Sequence, residues 1–164
     1  MLVLIISDSH GNLSGVAHLV GFAKTKNLGA IIHCGDFSTA QDVVETLKAG
    51  IPVYAVMGNA DEARYQEIYD ALSNSEIHFA PDTWIGKIGG RRIAITHQPE
   101  KVRDHINSGK YDAVFHGHLH MSAGVKTIDN TLVVNPGALG NTIKPSFAVY
   151  DTNSNTATII DLPV

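Results

Sequence analysis

The chain has 164 residues, of which 44% are hydrophobic and 17% charged, and its formal net charge is −4. That length suits one domain, residues 1–164, with its own apolar core, and the composition excludes a disordered chain. A weakly acidic protein has no basic surface for generic nucleic-acid binding, so any phosphate chemistry must draw positive charge from another source.

In chain order, Leu2–Ile6 is an unbroken apolar run that ends in Ser7-Asp8-Ser9-His10-Gly11-Asn12. It is too short to span a membrane and no basic segment precedes it, so it reads as a buried strand and not a signal peptide. Leu13, Val16, Ala17, Val20 and Ala23 follow at helical spacing. Residues 30–34 form a second short strand, broken by Gly35-Asp36. This strand carries Cys34, the one cysteine of the chain. A single cysteine excludes an internal disulfide and suits a reducing compartment, so the expected location is the cytoplasm, with no membrane partner.

Thr39 with Asp42 resembles a capping box, and the helix it opens runs toward Gly50. Residues 52–56 are a third strand, ending at Gly58-Asn59, and residues 64–72 a further short helix. The first third therefore reads β-α-β-α-β, which implies a parallel sheet covered by helices. Beyond it the pattern is richer in strands. Thr83–Ile88 and Arg91–Thr96 flank Gly89-Gly90 as a hairpin. A short helix is predicted over 102–108, and strands over 113–115, 124–128, 131–134, 147–150 and 157–162. The hairpin and the strand-rich tail offer edges through which copies of the chain can pair as a homo-oligomer.

Five apolar strands end in loops that carry metal-ligand chemistry: Asp8-Ser9-His10, Gly35-Asp36, Gly58-Asn59, Thr96-His97 and Gly117-His118-Leu119-His120. In α/β sheets such sites lie beyond the carboxyl ends of the strands, so these loops are expected to converge. In extended backbone, side chains at i and i+2 face the same way, which places Asp8 with His10 and His118 with His120. Taken singly, Asp8 or Asp36 reads as a helix cap, Asn59 as a turn residue and His-x-His as loop polarity. Five such loops in succession have no comparable structural explanation. The Asp/His/Asn set suits Mn²⁺, Fe²⁺, Co²⁺, Ni²⁺ or Zn²⁺ better than Ca²⁺.

The series Asp8/His10, Gly35/Asp36, Gly58/Asn59, His97, Gly117/His118/His120 resembles the signature of the calcineurin-like metallophosphoesterase superfamily. Asn135-Pro136-Gly137-Ala138 extends the likeness to its small, cap-free bacterial and archaeal phosphodiesterase branch. The resemblance implies a four-layer α/β/β/α sandwich of two mixed sheets flanked by helices. It implies two divalent ions, Mn²⁺ first among the candidates. Asp8, His10, Asp36 and His120 would hold one ion, Asn59, His97 and His118 the other, and Asp36 would bridge them. It assigns Asp36, Asn59 and His97 to the catalytic centre, with a bridging hydroxide attacking phosphorus in a small phosphate-ester substrate. Two divalent ions outweigh the two carboxylates and the hydroxide, which supplies the positive charge the surface lacks.

Some residues depart from this pattern or stand outside it. Many family members carry histidine where this chain has Ala60, which cannot protonate a leaving group. Gln98 stands where glycine is frequent. Asp61 reads either as a cap for the helix after it or as a support behind the ligands. His116 is a candidate for contacting substrate beside Asn59, although a buried, hydrogen-bonded histidine is the simpler reading. His33 reads as structural and Cys34 as a small buried hydrophobe. The alternative function is a non-catalytic protein-binding scaffold, the use made of this fold by the retromer subunit, whose ligand positions are altered. A dinucleotide-binding fold is excluded, because no Gly-x-Gly-x-x-Gly follows the first strand.

Overall fold

The computed structural model describes residues 1–121 and 124–162. The elements are β1 Leu2–Ile6, α1 Leu13–Thr25, β2 Ala30–His33, α2 Ala40–Leu47, β3 Val53–Val56, α3 Tyr65–Ser73, β4 His78–Ala80, β5 Thr83–Ile88 and β6 Arg91–Thr96. They continue as α4 Val102–Asn107, β7 Ala113–His116, β8 Gly124–Ile128, β9 Thr131–Asn135, β10 Ser146–Asp151 and β11 Thr156–Asp161.

Two mixed sheets result, with orders β11-β10-β1-β2-β3-β4 and β5-β6-β7-β9-β8. Strands β1 to β4 run parallel, and β10 returns antiparallel beside β1. In the second sheet β6, β7 and β9 run parallel, with β5 and β8 antiparallel at the edges.

Strand alternation separates the core into three seams. On β1, Leu4 and Ile6 pack under the helices with Val16, Leu19, Val43 and Ile68. Their neighbours Val3 and Ile5 face the other sheet and meet Ile93, Ile95, Phe115 and Val134. On the far side of that sheet, Ala94, Val114 and Val133 pack against Val102 and Ile106 of α4. Strands covered on both faces are apolar nearly throughout, which is why β1 reads as an unbroken apolar run and β2 departs from one only at the buried His33. The layers are thus helices, sheet, sheet and helix, as the resemblance implied.

Three details differ from the predicted elements. The helix expected over 64–72 begins at Tyr65 and is preceded by a 3-10 turn over Asn59–Arg64. Strand β4 was not anticipated, because three residues are too few to set a period. At α2, Thr39 Oγ1 accepts from the Asp42 N–H at 3.3 Å, but the Asp42 carboxylate accepts from the Thr39 hydroxyl and, at 3.0 Å, from the Gly11 N–H. Half of the capping box is therefore spent on the loop after β1.

Candidate metal centre

The carboxyl ends of β1, β2 and β3 in one sheet meet those of β6, β7 and β9 in the other. The loops after β1 and β2 continue the strand ladder: Asp8 N–H donates to the Gly35 carbonyl at 3.0 Å, His10 N–H to Asp36 at 3.1 Å, and Gly11 N–H to Phe37 at 3.0 Å. The loop after β9 closes the floor, with Gly140 N–H donating to the Asp8 carbonyl at 2.9 Å.

All seven predicted ligands come together here, in two groups. In the first, donor atoms of Asp8, His10, Asp36 and His120 all lie within 4.8 Å of one another. His10 Nε2 is 3.1 Å from His120 Nε2 and 3.6 Å from Asp36 Oδ2, and His120 Nε2 is 3.6 Å from Asp8 Oδ1. In the second, Asn59 Oδ1 is 3.0 Å from His97 Nε2 and 2.8 Å from His118 Nδ1. His97 Nε2 is also 3.4 Å from Asp36 Oδ1. Asp36 therefore presents one carboxylate oxygen to each group.

The electrostatics of the donors fit cations. Asp8 is fully buried, its Oδ1 has no hydrogen-bond partner, and burial pushes its carboxyl pKa up. An unpaired buried carboxylate oxygen is costly unless a positive charge faces it. The His97 ring lies 2.8 Å from the Cys34 carbonyl, which can only accept, so Nδ1 carries the proton. Nε2 then faces the Asn59 side-chain oxygen at 3.0 Å, so the ring and Asn59 can present two donor atoms to one cation between them. At His10 a hydroxyl holds the ring instead: Nδ1 is 3.2 Å from Ser38 Oγ, while Nε2 faces His120 Nε2 at 3.1 Å.

The paired reading of Asp8 with His10 and His118 with His120 is corrected in part. These loops are not extended: Asp8 (φ 52), His10 (φ 46), Asp36 (φ 60) and His118 (φ 72) are all left-handed. Asp8 and His10 still share a group, but His118 and His120 separate into different ones. His118 turns its N–H to Asp8 Oδ2 at 3.1 Å and its ring to Asn59. Left-handed residues other than glycine cost about 1–2 kcal/mol each and persist where surrounding bonds over-determine them, as the continued ladder does here.

The supporting residues are equally specific. Asp61 is fully buried and accepts from the N–H groups of Asp36 (3.1 Å), Gly58 (2.8 Å) and Ser38 (2.8 Å). It thus caps the 3-10 turn in which it lies, through the Gly58 N–H, and holds the Asp36 loop; α3 itself starts after Arg64 with no side-chain cap, so the supporting reading holds and the cap belongs to the turn and not to the helix. His33 is buried, stacks on Phe37 and accepts the Gly35 N–H, and burial lowers its pKa to about 3. Burial pushes the Cys34 thiol up, which leaves it an inert apolar group. His116 is not brought to the cluster. It is buried, with Nδ1 at the Gly117 carbonyl, and lines a separate cavity with Val102, Leu119 and Lys126. Sequence reasoning passed over Ser38, which carries no motif signal, and the Asp42 carboxylate that holds Gly11.

Residues 1–155 match the calcineurin-like phosphoesterase superfamily domain. The chain belongs to that superfamily. A phosphodiesterase of Methanocaldococcus jannaschii is 28% identical over 156 residues, covering 93% of each chain. A solved archaeal phosphodiesterase superposes with a TM-score of 0.88 at 28% identity, over 99% of this chain and 100% of that one. The vacuolar protein sorting 29 protein of Cryptosporidium parvum shares the fold at a TM-score of 0.71 and 20% identity, over 98% and 96% of the two chains. Within the superfamily frame the two departures have local explanations. The Ala60 N–H donates to Asp36 Oδ1 at 2.8 Å, so this position still serves the cluster through its backbone. Gln98 is extended (φ −83, ψ 129) and makes no conformational demand that only glycine can meet. Among the described residues no helix is long and apolar enough to cross a membrane.

Proposed function

We propose that this chain is a two-ion phosphoesterase acting on phosphodiesters, with Asp8, His10, Asp36 and His120 at one ion and Asp36, Asn59, His97 and His118 at the other. The observation that carries the reading is Asp36, which turns Oδ2 toward His10 and Oδ1 toward His97. When bound, the ions supply Lewis acidity toward phosphate oxygens and bring a coordinated water near neutral pKa. Ligand types favour Mn²⁺, with Ni²⁺, Co²⁺, Fe²⁺ or Zn²⁺ also suited.

The chain's own residues orient the donors and shape the space beside them. Cys34 and Ser38 fix the His97 and His10 rings, and Asn59 contributes a neutral oxygen that leaves the second group less negative than the first. Beside Asn59 and His97 opens a cavity of about 140 Å³ whose lining includes Glu62, Tyr65 and Gln98 but no lysine or arginine. Substrate phosphate is therefore held at the cluster, and neutral parts of a small substrate enter the cavity. Ala60 cannot donate a proton, which biases the enzyme toward good leaving groups. Cytoplasmic residence accords with the single reduced cysteine. The scaffold alternative has less support, because all seven donor positions are intact and converge.

The test is hydrolysis of bis-p-nitrophenyl phosphate by chelator-stripped protein with Mn²⁺, Ni²⁺, Co²⁺, Zn²⁺ or Mg²⁺ restored singly, and Asp36→Asn as control. Metal-dependent turnover that the variant loses by orders of magnitude, together with bound metal, is expected. Two bound ions and a near-normal rate in Asp36→Asn would overturn the assignment.

A further inference from the structure

The donor cluster lies between two cavities of different character. The one beside Asn59 and His97 is small, with Glu62, Asp82 and Gln98 in its lining beside Met57 and Tyr65. The other begins at His120 of the first donor group, holds about 300 Å³, and is walled by Met121, Thr142 and Ile143. Met121 is 84% exposed and Ile143 97% exposed. Single exposed apolar residues are ordinary, but these two line one cavity that ends on a ligand histidine.

The wall that carries Ile143 is anchored to the site. Leu139 and Gly140 donate to the Asp8 carbonyl at 3.2 and 2.9 Å. At its other end, Ser146 N–H donates to the Ala138 carbonyl at 3.1 Å and Ser146 Oγ to the Pro136 carbonyl at 2.7 Å. Among the described residues that line the cavity the one cation is Lys144, which is paired with Asp161 at 2.9 Å. A polyphosphate or oligonucleotide arm would have to draw this lysine away from Asp161, whereas an apolar arm leaves the pair intact.

We propose that the His120 cavity seats one ester arm of the substrate and that this arm is an apolar alcohol. The substrate class is then an unsymmetrical phosphodiester, with an aliphatic or aromatic arm against Met121 and Ile143 and a smaller polar arm beside Asn59 and His97. The inference rests on the phosphodiesterase reading above, and it adds the nature of the substituent that gives specificity.

The experiment is calorimetric binding of dimethyl, butyl methyl and hexyl methyl phosphate to the Mn²⁺-loaded chain. Each buried methylene strengthens binding by up to about fourfold, so Kd is expected to fall roughly tenfold or more from the dimethyl to the butyl ester. Ile143→Asp and, separately, Met121→Asp should flatten the series, and both positions are exposed enough for the variants to fold. A wild-type Kd independent of chain length would overturn the proposal, as would a gain that survives both variants. Turnover of bis-p-nitrophenyl phosphate is measured alongside. Turnover with a flat binding series overturns the apolar arm alone. Chain-length-dependent binding without turnover sustains the cavity's role and overturns the hydrolase reading.

Discussion

Asp61 touches no predicted ion position, yet its replacement should weaken metal binding. Its carboxylate accepts from Asp36 and Gly58 N–H through Oδ2 and from Ser38 N–H through Oδ1. In Asp61→Asn the least harmful orientation puts the new amide nitrogen at the Oδ1 position, facing the Ser38 N–H. One bond is lost and a buried donor is orphaned, at a cost of about 1–3 kcal/mol. The other two bonds fall from charge-assisted to neutral, at roughly half the strength. Removing a charge whose pKa burial already pushes up offsets part of this loss. A net loss of about 2 kcal/mol shifts Tm by roughly 4–8 °C in a chain of this size. Because the lost bond frees Ser38, which orients His10, and loosens the Asp36 backbone, Mn²⁺ affinity should fall about 10–100-fold. Thermal melts in chelator and calorimetric Mn²⁺ titrations near neutral pH measure the two effects separately. A variant that melts earlier but binds Mn²⁺ as tightly as the wild type would refute the link from Asp61 to the ligands.

Gly58→Ala should also cost metal binding, by steric means alone. Its φ of −122 suits any residue, but a Cβ there would overlap Asp36 Oδ1 and approach the Asp36 nitrogen to 2.6 Å. Reduced Mn²⁺ stoichiometry in a folded variant is expected, and full occupancy would show that the Asp36 loop yields freely. Ala60→His should raise turnover more for diesters with poor leaving groups than for p-nitrophenyl esters, within the roughly 10²–10⁴-fold that general acids contribute. Equal effects on both would argue against a missing acid. Asp42 supplies a pH signature, since burial raises its pKa to about 6 from 3.8. A raised folded-state pKa means that its contribution to stability is complete below pH 3.8 and is lost as pH rises through about 6, by at most about 3 kcal/mol. Chemical denaturation between pH 4 and 7 should show a steeper decline in the wild type than in Asp42→Asn, which keeps the contributions of Asp8 and Asp61, whose pKa burial also raises. The same slope in both would place the titration elsewhere.

Most of the fold was legible because strands buried on both faces, such as Leu2–Ile6, must be apolar throughout, and because Gly89 (φ 56) and Gly90 (φ 83) mark their hairpin unmistakably. Strand β4 was not, since its half-exposed His78–Ala80 has no apolar run to announce it. The return of β10 to the edge of β1 was equally hidden, because pairing across the length of a chain leaves no trace in local periodicity. The ligand identities were legible for a related reason: each is a polar residue directly beyond an apolar strand, where the sheet's geometry dictates convergence. Their partition between two groups followed from the resemblance and not from spacing. Spacing of i and i+2 predicts a shared direction only in extended backbone, and left-handed φ at Asp8, His10 and His118 depends on hydrogen bonds from distant loops that no local pattern encodes. What did survive in the sequence is the glycine one residue before Asp36, Asn59 and His118. A Cβ on Gly35 would meet His97 Nδ1 at 2.9 Å, on Gly58 it would meet the Asp36 carboxylate, and on Gly117 it would meet Ser7 and, at 2.8 Å, Asp8 Oδ2. These glycines make room less for a substrate than for the neighbouring ligand loop. A Gly-ligand pair repeated at successive strand ends is therefore a packing requirement of two donor groups sharing one carboxylate, and it carries more information about the site than the spacing between the ligands.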